Sequence, residues 1–205
     1  HLSTGDGRAV DMLDKQGRMH PDVAKFANEA FYDGKLKMVG LPHQLEVLEA
    51  PVVFIPSEVD KESPTGKSNR DEARIVADCA VSVWREFQES FDADSTLGII
   101  TPYRSQIALI KKELERAGID DLLRISVDTV ERYQGSERDV IIYSFCVNTS
   151  AQLTLLPNLT EENGVVIDRK LNVVLTRARK RIVITGNPDL LRKDEIYARL
   201  LDSIQ

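Results

Sequence analysis

Short apolar runs that alternate with segments of helical periodicity constrain the fold of this chain more than any other feature. The runs are typical of buried strands and cover residues 52–56, 97–101, 124–127, 140–147 and 181–185. Between them, apolar residues recur at helical spacing after Asn69, before Gly118, and from Leu171 to Ala178. This alternation predicts an α/β fold, a three-layer sandwich in which helices cover both faces of a mainly parallel sheet.

Polar signals at the ends of these segments sharpen the prediction. Asn69 is a predicted helix N-cap, and Glu72, three residues later, is placed to reach back to it as in a capping box. Gly118 is a predicted helix stop, and Pro188 opens a predicted terminal helix. In parallel sheets, functional residues lie at the carboxyl ends of strands, so we expect the polar motifs there.

The length and the net charge of the chain limit the functions that it can have. A chain of 205 residues suits one sizeable domain, so we predict a single domain over residues 1–205. Within it, residues 1–50 form a leading segment and residues 149–164 a probable insertion. A net charge of −6 excludes a nucleic-acid coat over the whole surface, but permits a local basic groove. Because the chain begins at His1 rather than Met, we expect an excised part of a longer protein, or a processed mature chain.

The chain lacks the signals of secretion and of metal binding. It has no signal segment and no apolar run near the roughly 20 residues that span a bilayer, so no membrane partner is expected. Cys79 and Cys146 lie far apart in apolar runs, which predicts two buried thiols in an intracellular, cytoplasmic or nuclear compartment. The three histidines are scattered, so no metal site is predicted.

One segment imitates a phosphate-binding loop. Thr65-Gly66-Lys67-Ser68 resembles the end of a P-loop, but Lys61 stands where the pattern requires its first glycine. We therefore predict a flexible loop here, within one exposed connection from Pro56 to Asn69, and no phosphate cradle in the chain.

The segment over residues 127–144, VDTVERYQGSERDVIIYS, is the strongest candidate for a binding site. Thr129 and its neighbouring N–H groups are suited to hold a phosphate, and Gly135 lets a ligand approach the backbone closely. Glu137 is suited to accept from a ribose hydroxyl or to orient a cationic partner. The alternative is a surface turn of ordinary polar residues.

Arginines mark two further candidates. The segment LNVVLTRARKRIVITGN carries Arg177 and Arg179, which on a helix would point about 200° apart, at the ~100° step per residue. An arginine presented across a domain cleft to a γ-phosphate is an arginine finger, whereas the alternative is a basic helix end that complements the helix dipole. Arg18, in KQGRMHP, taken alone is more typical of a salt bridge than of a ligand contact.

The segment TPYRSQ follows a predicted strand. There Tyr103 and Arg104 are suited to stack on or contact a single strand, with helix capping as the alternative reading.

Together these segments resemble the later motifs of superfamily 1 helicases, in the branch of the RNA-surveillance helicases and the replication nuclease–helicases. That family reads Q-Y-R-M-H-P with F-Y-x-G-x-L, N-x-x-E-A, T-P-Y-x-x-Q, V-D-[ST]-x-x-x-x-Q-G-x-E-x-D and L-N-V-A-x-T-R-A-R. This chain has QGRMHP with FYDGKL, NRDEA, TPYRSQ, VDTVERYQGSERD and LNVVLTRAR, between about residues 11 and 190. Each motif alone is weakly specific, but five in order are highly specific.

The resemblance implies a second RecA-like domain without its own P-loop. Arg18 and Arg177 would contact the γ-phosphate of ATP, which with Mg²⁺ would be bound mainly by the first RecA-like domain. The nucleotide side of the cleft would be lined by Gln134, Gly135, Glu137 and Arg179. The surface facing a single strand would include Thr101, Tyr103, Arg104 and Thr129.

One position departs from the family pattern. Gly17 replaces an aromatic residue that in relatives packs near the nucleotide base, so nucleotide preference is expected to be looser.

These implications lead to an ATP-dependent DNA or RNA helicase whose isolated second domain has no ATPase activity. The residues Tyr133-Gln134-Gly135 resemble the motif of the replication nuclease–helicases, and this resemblance favours DNA slightly. A non-catalytic RecA-like interaction domain is the alternative, although it would have no need of two γ-phosphate arginines. A dinucleotide-binding oxidoreductase is remote, because no G-x-G-x-x-G follows a strand.

Overall fold

A five-stranded parallel sheet forms the centre of the molecule in the computed structural model, which describes residues 15–133 and 135–204. Its strands are β3 (Val52–Pro56), β4 (Leu97–Ile100), β5 (Ser126–Asp128), β6 (Arg138–Ser144) and β9 (Ala178–Gly186). They are arranged in the order β3-β9-β6-β4-β5, and every neighbouring pair is parallel. The predicted parallel sheet is therefore confirmed.

Helices cover both faces of this sheet. They are α1 (Pro21–Phe31), α2 (Arg70–Phe87), α3 (Arg104–Ala117), α4 (Asp120–Leu123), α5 (Gln152–Leu155), α6 (Arg169–Leu175), α7 (Pro188–Leu191) and α8 (Glu195–Ser203). One apolar core joins α1, α6 and α8 to one face, and a second joins α2, α3 and α4 to the other. This is the predicted three-layer α/β architecture.

The strands at the edges of the sheet differ from those in the middle. Residues of β4 are fully buried, and β6 and β9 bury most of their residues, whereas Val52–Ile55 of β3 are only partly buried. The expectation that β3 is buried on both faces is therefore wrong. The apolar run fitted a central strand, but β3 lies at the edge and pairs only with β9, and an edge strand also tolerates Pro56 at its end.

The last three residues of the apolar run 140–147 do not belong to strand β6. Residues 145–147 stay buried, but the ladder ends at Ser144, three residues before the predicted end. Cys146 has φ +52, a left-handed conformation that a side chain other than glycine rarely adopts and that interrupts extended structure.

Helix α6 ends earlier than its apolar stripe predicts. The stripe continues to Ala178, but the helix stops at Leu175 and Thr176 forms its C-cap. Ala178 instead begins β9 and pairs with Arg138. The prediction that Arg177 and Arg179 share a helix is therefore wrong. A small buried residue at helical spacing also fits the start of a strand, so the stripe alone could not locate the helix end.

Smaller elements complete the chain. Strands β1 (Lys15–Gln16) and β2 (Lys37–Met38) form a parallel pair, and 3-10 turns occupy Pro42–Gln44 and Gln88–Ser90. Residues 149–164 hold α5 and strand β7 (Leu159–Glu162), which pairs antiparallel with β8 (Val165–Asp168). Whether this segment is an insertion stays a prediction. The expected terminal helix is divided, because α8 has its own N-cap at Asp194.

Among the described residues, no helix combines the length and the apolar character that crossing a membrane requires.

Candidate functional site

The predicted site residues lie at two opposite ends of the parallel strands. Glu137 immediately precedes β6 and Arg177 immediately precedes β9, so both lie at the amino ends of their strands. Thr101 and Thr129 directly follow β4 and β5, at the carboxyl ends. The expectation that all the motifs lie at carboxyl ends is therefore wrong for the arginine cluster. The sequence carries a signal for this placement, because Glu137 and Arg177 stand before the apolar runs of their strands.

Arg18 and Glu137 form the centre of the amino-end cluster. The guanidinium Nε of Arg18 donates to Oε2 of Glu137 at 2.6 Å, and its Nη1 donates to the carbonyl of Thr176 at 3.2 Å. Both charged side chains are more than a third exposed. Arg18 is thus oriented by a carboxylate and a carbonyl, yet it still faces solvent.

Arg177 lies in the turn between α6 and β9, held by groups that carry no charge. Its guanidinium donates to the carbonyls of Val173 at 3.2 Å and Ser136 at 3.4 Å, and to the hydroxyl of Thr176 at 3.2 Å. Burial lowers the pKa of Arg177 below its ordinary value, and the nearby positive charge of Arg18 lowers it further. Among the described residues, no carboxylate lies within ion-pair distance of Arg177.

Arg179 is engaged differently from its neighbour. Its Nε and Nη2 both contact Oδ1 of Asp139 at 2.9 Å, and its Nη1 lies 3.8 Å from Oε1 of Glu137. The cluster therefore holds three arginines and two carboxylates, and only Arg18 and Arg179 are paired with those carboxylates. The local excess of one positive charge is suited to an anion.

The QGRMHP segment places Arg18 by a compact set of backbone bonds. The side-chain oxygen of Gln16 accepts from the amides of Arg18 at 3.0 Å and Met19 at 2.7 Å. The amide of His20 donates to the carbonyl of Arg179 at 2.7 Å, which fixes the segment to the start of β9. The side chain of His20 also accepts from the amide of Asp22 and caps α1.

Leu41 lies beside Gly17, the position at which the resemblance predicts an aromatic side chain. A Cβ atom added to Gly17 would come within 3.0 Å of Leu41 Cδ1 and 3.9 Å of Val39 Cγ2. The space beside Gly17 is therefore already occupied by aliphatic groups.

The connection between β5 and β6 links the two ends of the sheet, from Thr129 after β5 to Glu137 before β6, and its described residues form turns rather than a helix. Gln134 within it lies outside the described residues. Gly135 has φ +84, a conformation that favours glycine, and a Cβ there would meet nothing within 4 Å. Tyr133 is 2% exposed, and its ring packs 5.8 Å from the guanidinium carbon of Arg138.

The carboxyl-end group is assembled around Tyr103. Tyr103 is partly buried, and its hydroxyl accepts from the side-chain amide of Gln152 at 3.2 Å. Arg104 is exposed as the first residue of α3. Thr101 is fully buried and its hydroxyl has no hydrogen-bond partner. The amide of Thr129 donates to its neighbour Asp128 at 2.8 Å, so this N–H is already engaged.

Glu72 has a role that the sequence analysis missed. Its backbone amide donates to Asn69 as predicted, but its carboxylate is fully buried and does not return to the Asn69 backbone. It accepts instead from the hydroxyls of Ser57 at 3.1 Å and Ser144 at 2.6 Å, and from the amide of Cys146 at 2.9 Å. Burial raises the pKa of Glu72 to about 7.

Gln106 satisfies the Asn69 amide in place of Glu72, at 2.7 Å. A signal for the burial of Glu72 was present in the sequence. Glu72 lies at helical spacing with the buried residues Val76 and Ala80, on the face that contacts the sheet.

The two cysteines and the potential metal ligands were also subjects of sequence predictions. Cys146 is buried as predicted, whereas Cys79 is only partly buried, and both thiols are free. Burial raises the pKa of Cys79 to about 11. Among residues 15–133 and 135–204, no group of three or more His, Cys, Asp or Glu side chains is arranged to hold a metal ion.

This chain is similar in sequence to one family model and to several known proteins. The family model of the AAA domain matches residues 2–189. The chain is 31% identical to helicase SEN1 of Saccharomyces cerevisiae over 93% of its length, and covers 9% of that protein. It is 31% identical to the regulator of nonsense transcripts 1 homolog of Drosophila melanogaster, covering 93% of this chain and 16% of that one.

The homolog of that regulator in Arabidopsis thaliana is 34% identical, over 92% of this chain and 15% of its own length. The chain therefore spans less than a fifth of each of these relatives.

Proposed function

Since this chain belongs to the AAA domain family and is a C-terminal domain of the superfamily 1 helicase type, we propose that it is the second half of an ATP-driven motor. In this proposal another RecA-like domain of the same protein binds ATP and Mg²⁺. The present domain contributes arginines to the γ-phosphate and part of the surface that binds a single strand of nucleic acid.

The observation that carries the proposal is the meeting of Arg18 and Arg177. They come from segments far apart in the chain, yet Thr176 accepts hydrogen bonds from both guanidinium groups, at 3.2 Å each. The charge of one lowers the pKa of the other. Two cations held this close favour an anion between them, because it relieves their mutual repulsion.

The residues of this chain would act by electrostatics. Charge that develops on the transferring phosphoryl group is stabilised by guanidinium groups that are already oriented, which costs little reorganisation in the reaction. Glu137 holds Arg18, while neutral backbone and hydroxyl acceptors hold Arg177 and leave its charge uncompensated. Arg179, which donates to Asp139, would help to hold the other side chains of the cluster in place.

The described part of the chain does not fit a metal or a phosphate cradle of its own. Glu137 and Asp139, the carboxylates of the arginine cluster, are engaged by Arg18 and Arg179. The sequence Thr65–Ser68 is not followed by a helix at Lys67, since α2 begins at Arg70. We therefore assign Mg²⁺ and the phosphate cradle to the other domain.

Nucleic acid would bind at the carboxyl-end group around Tyr103, with Arg104 and Thr129 nearby in the fold. The connection from Thr129 to Glu137 would then couple this surface to the arginine cluster. Our expectation from the sequence favours DNA slightly, whereas two of the relatives are named regulators of nonsense transcripts, which makes RNA an equally testable substrate.

The decisive experiment is steady-state ATPase activity of the full-length protein that contains this chain, with and without single-stranded DNA or RNA. Loss of an arginine finger costs ~10³–10⁵ in kcat, so Arg177→Ala should reduce stimulated turnover by at least about a hundredfold. Arg181→Ala is the matched control, because Arg181 lies in β9, which begins directly after Arg177, but pairs with the exposed Glu86 at 2.6 Å.

Equal activity in the two variants, or wild-type protein without turnover, would overturn the proposal. The isolated chain is expected to be inactive, and measurable turnover in a clean preparation would also contradict it. The nucleic acid that stimulates turnover more strongly identifies the substrate.

A further inference from the structure

The loop of residues Thr65, Gly66, Lys67 and Ser68, set aside as an incomplete P-loop, lies beside Tyr103. The ammonium Nζ of Lys67 lies 5.9 Å from the centroid of the Tyr103 ring, within the range of a cation–π contact. The hydroxyl of Ser105, in the first turn of α3, donates to the carbonyl of Lys67. The loop therefore packs on the carboxyl-end group.

Asn148 and Gln152 fix this loop by hydrogen bonds to its backbone. The side-chain amide of Asn148 donates to the carbonyls of Gly66 at 2.9 Å and Ser68 at 2.8 Å. The amide of Gln152 donates to the carbonyl of Gly66 at 3.0 Å. Because both residues act on the backbone, the loop has a defined position from which Lys67 projects. The prediction of a flexible loop did not anticipate these hydrogen bonds.

Gln152 holds the aromatic ring as well as the loop. Its Nε2 lies 3.2 Å from the Tyr103 hydroxyl, and its Oε1 accepts from the amides of Asn148 at 2.8 Å and Thr149 at 3.0 Å. The residue is only 9% exposed. One buried amide thus sets the distance between Lys67 and Tyr103, and it belongs to the segment 149–164 that matched no motif.

The charges at this surface are uncompensated. Among the described residues, neither Lys67 nor Arg104 has a carboxylate within ion-pair distance, although both side chains are exposed. The nearby Arg70, in contrast, contacts both Asp60 and Glu62 at 2.8 Å. Two unpaired cations beside a partly exposed aromatic ring are the combination that binds single strands, cations on phosphates and the ring on a base.

We propose that Lys67 is a nucleic-acid-binding residue of this domain. It contacts a backbone phosphate of the nucleotide whose base packs on Tyr103, and Asn148 and Gln152 position it through the loop backbone. This inference rests on the proposed function, since it extends the single-strand surface of the same motor. The ligand is single-stranded nucleic acid, recognised by phosphate charge and base stacking rather than by sequence.

The test is the salt dependence of binding of a fluorescent oligo(dT) and oligo(U) to the full-length protein. Each phosphate contact adds ~0.7 to the magnitude of the slope of log Kobs against log salt concentration. Lys67→Ala should lower that magnitude by about 0.7, which corresponds to about fivefold weaker binding at 0.1 M salt. Lys67→Arg, which keeps the charge, should restore both the slope and the affinity.

Lys112→Ala is the matched control, because it removes one exposed positive charge from the groove between α2 and α3. It should leave the slope unchanged. The proposal is overturned if Lys67→Ala behaves like Lys112→Ala, or if Lys67→Arg binds as weakly as Lys67→Ala. Circular dichroism melts of each variant check that the fold is retained.

The two proposals fail in different ways. In one case, Arg177→Ala leaves ATPase activity unchanged while Lys67→Ala still lowers the salt-dependence slope. This result would refute the motor assignment and leave Lys67 as a binding residue. A normal Arg177 effect with an unchanged Lys67→Ala slope would refute only the binding residue. Wild-type protein that binds neither oligonucleotide would overturn the Lys67 assignment and the single-strand surface together.

Discussion

Arg18 donates from Nε to Oε2 of Glu137 across 2.6 Å, which joins the leading segment of the chain to the start of a central strand. Because both side chains are more than a third exposed, the pair itself contributes at most about 1 kcal/mol to the free energy of unfolding. The main effect of the ion pair is to orient the guanidinium group of Arg18.

Replacing Glu137 by Gln should therefore affect catalysis more than stability. Because a misplacement of about 1 Å costs up to ~10² in rate, we expect kcat of the ATPase to fall about tenfold. The melting temperature should hardly change. The control is Glu86→Gln, which weakens the equally short Arg181 pair outside the cluster.

The dependence of Glu137 on Arg18 is tested by the double variant. If Glu137 acts by orienting Arg18, adding Glu137→Gln to Arg18→Ala should cause little further loss of kcat. Fully additive losses would show that Glu137 acts on something other than Arg18.

Two substitutions at Tyr103 separate its ring from its hydroxyl. Loss of a base stacked on an aromatic ring costs about 1–3 kcal/mol, so Tyr103→Ala should weaken single-strand binding by roughly 5-fold to 150-fold. Tyr103→Phe keeps the ring and loses only the bond from Gln152, so its affinity should stay within about threefold of wild type. Fluorescence anisotropy titrations measure both. An equal loss in the two variants would contradict a stacking role.

Glu72 should make the stability of the domain depend on pH. Burial raises its pKa from 4.5 to about 7, so folding favours the protonated carboxyl. This contribution to stability is complete below about pH 4.5 and is lost as the pH rises through about 7. Glu72→Gln cannot titrate. Urea unfolding across this range should therefore show wild type losing up to roughly 3 kcal/mol relative to the variant. Parallel pH profiles would refute the assignment.

Gly98, in the fully buried strand β4, leaves room for Tyr133. A Cβ added to Gly98 would overlap the Tyr133 hydroxyl and come within 3.0 Å of Arg138 Cγ. Gly98→Ala should therefore lower the free energy of unfolding by about 1–3 kcal/mol, the usual cost of an overpacked core. Adding Tyr133→Phe should recover part of the loss in denaturant titrations. No recovery would place the strain elsewhere.

Much of the fold followed from the sequence, because burial imposes periodicity. The helix that begins after Asn69 and the helix that stops at Gly118 were both predicted from apolar spacing and caps, and Gly118 has the expected left-handed conformation. The position of a strand within the sheet was not predicted. Nothing in VVFIP distinguishes an edge strand from a central one, because that depends on how the strands are ordered in space.

For the candidate site, the sequence supplied the residues but not their arrangement. Motif order selected Arg18, Glu137 and Arg177, and the structure brings them together, whereas their separation from Tyr103 depends on strand direction. Their functional roles stay a prediction. Glu72 and Gln152 were harder to predict. Each acts through several hydrogen bonds to distant segments, and a single sequence contains no record of those pairings.

The connection from Thr129 to Glu137 has a mechanical consequence. Tyr133 is anchored in the core between its two ends, beside Gly98 and Arg138. We expect a displacement of Thr129 to reach Glu137 through side-chain packing, because the buried Tyr133 ring lies 5.8 Å from the guanidinium carbon of Arg138, the residue after Glu137. Under the proposed function, a strand bound beside Thr129 would act on Arg18 by this route, since Arg18 donates to Glu137.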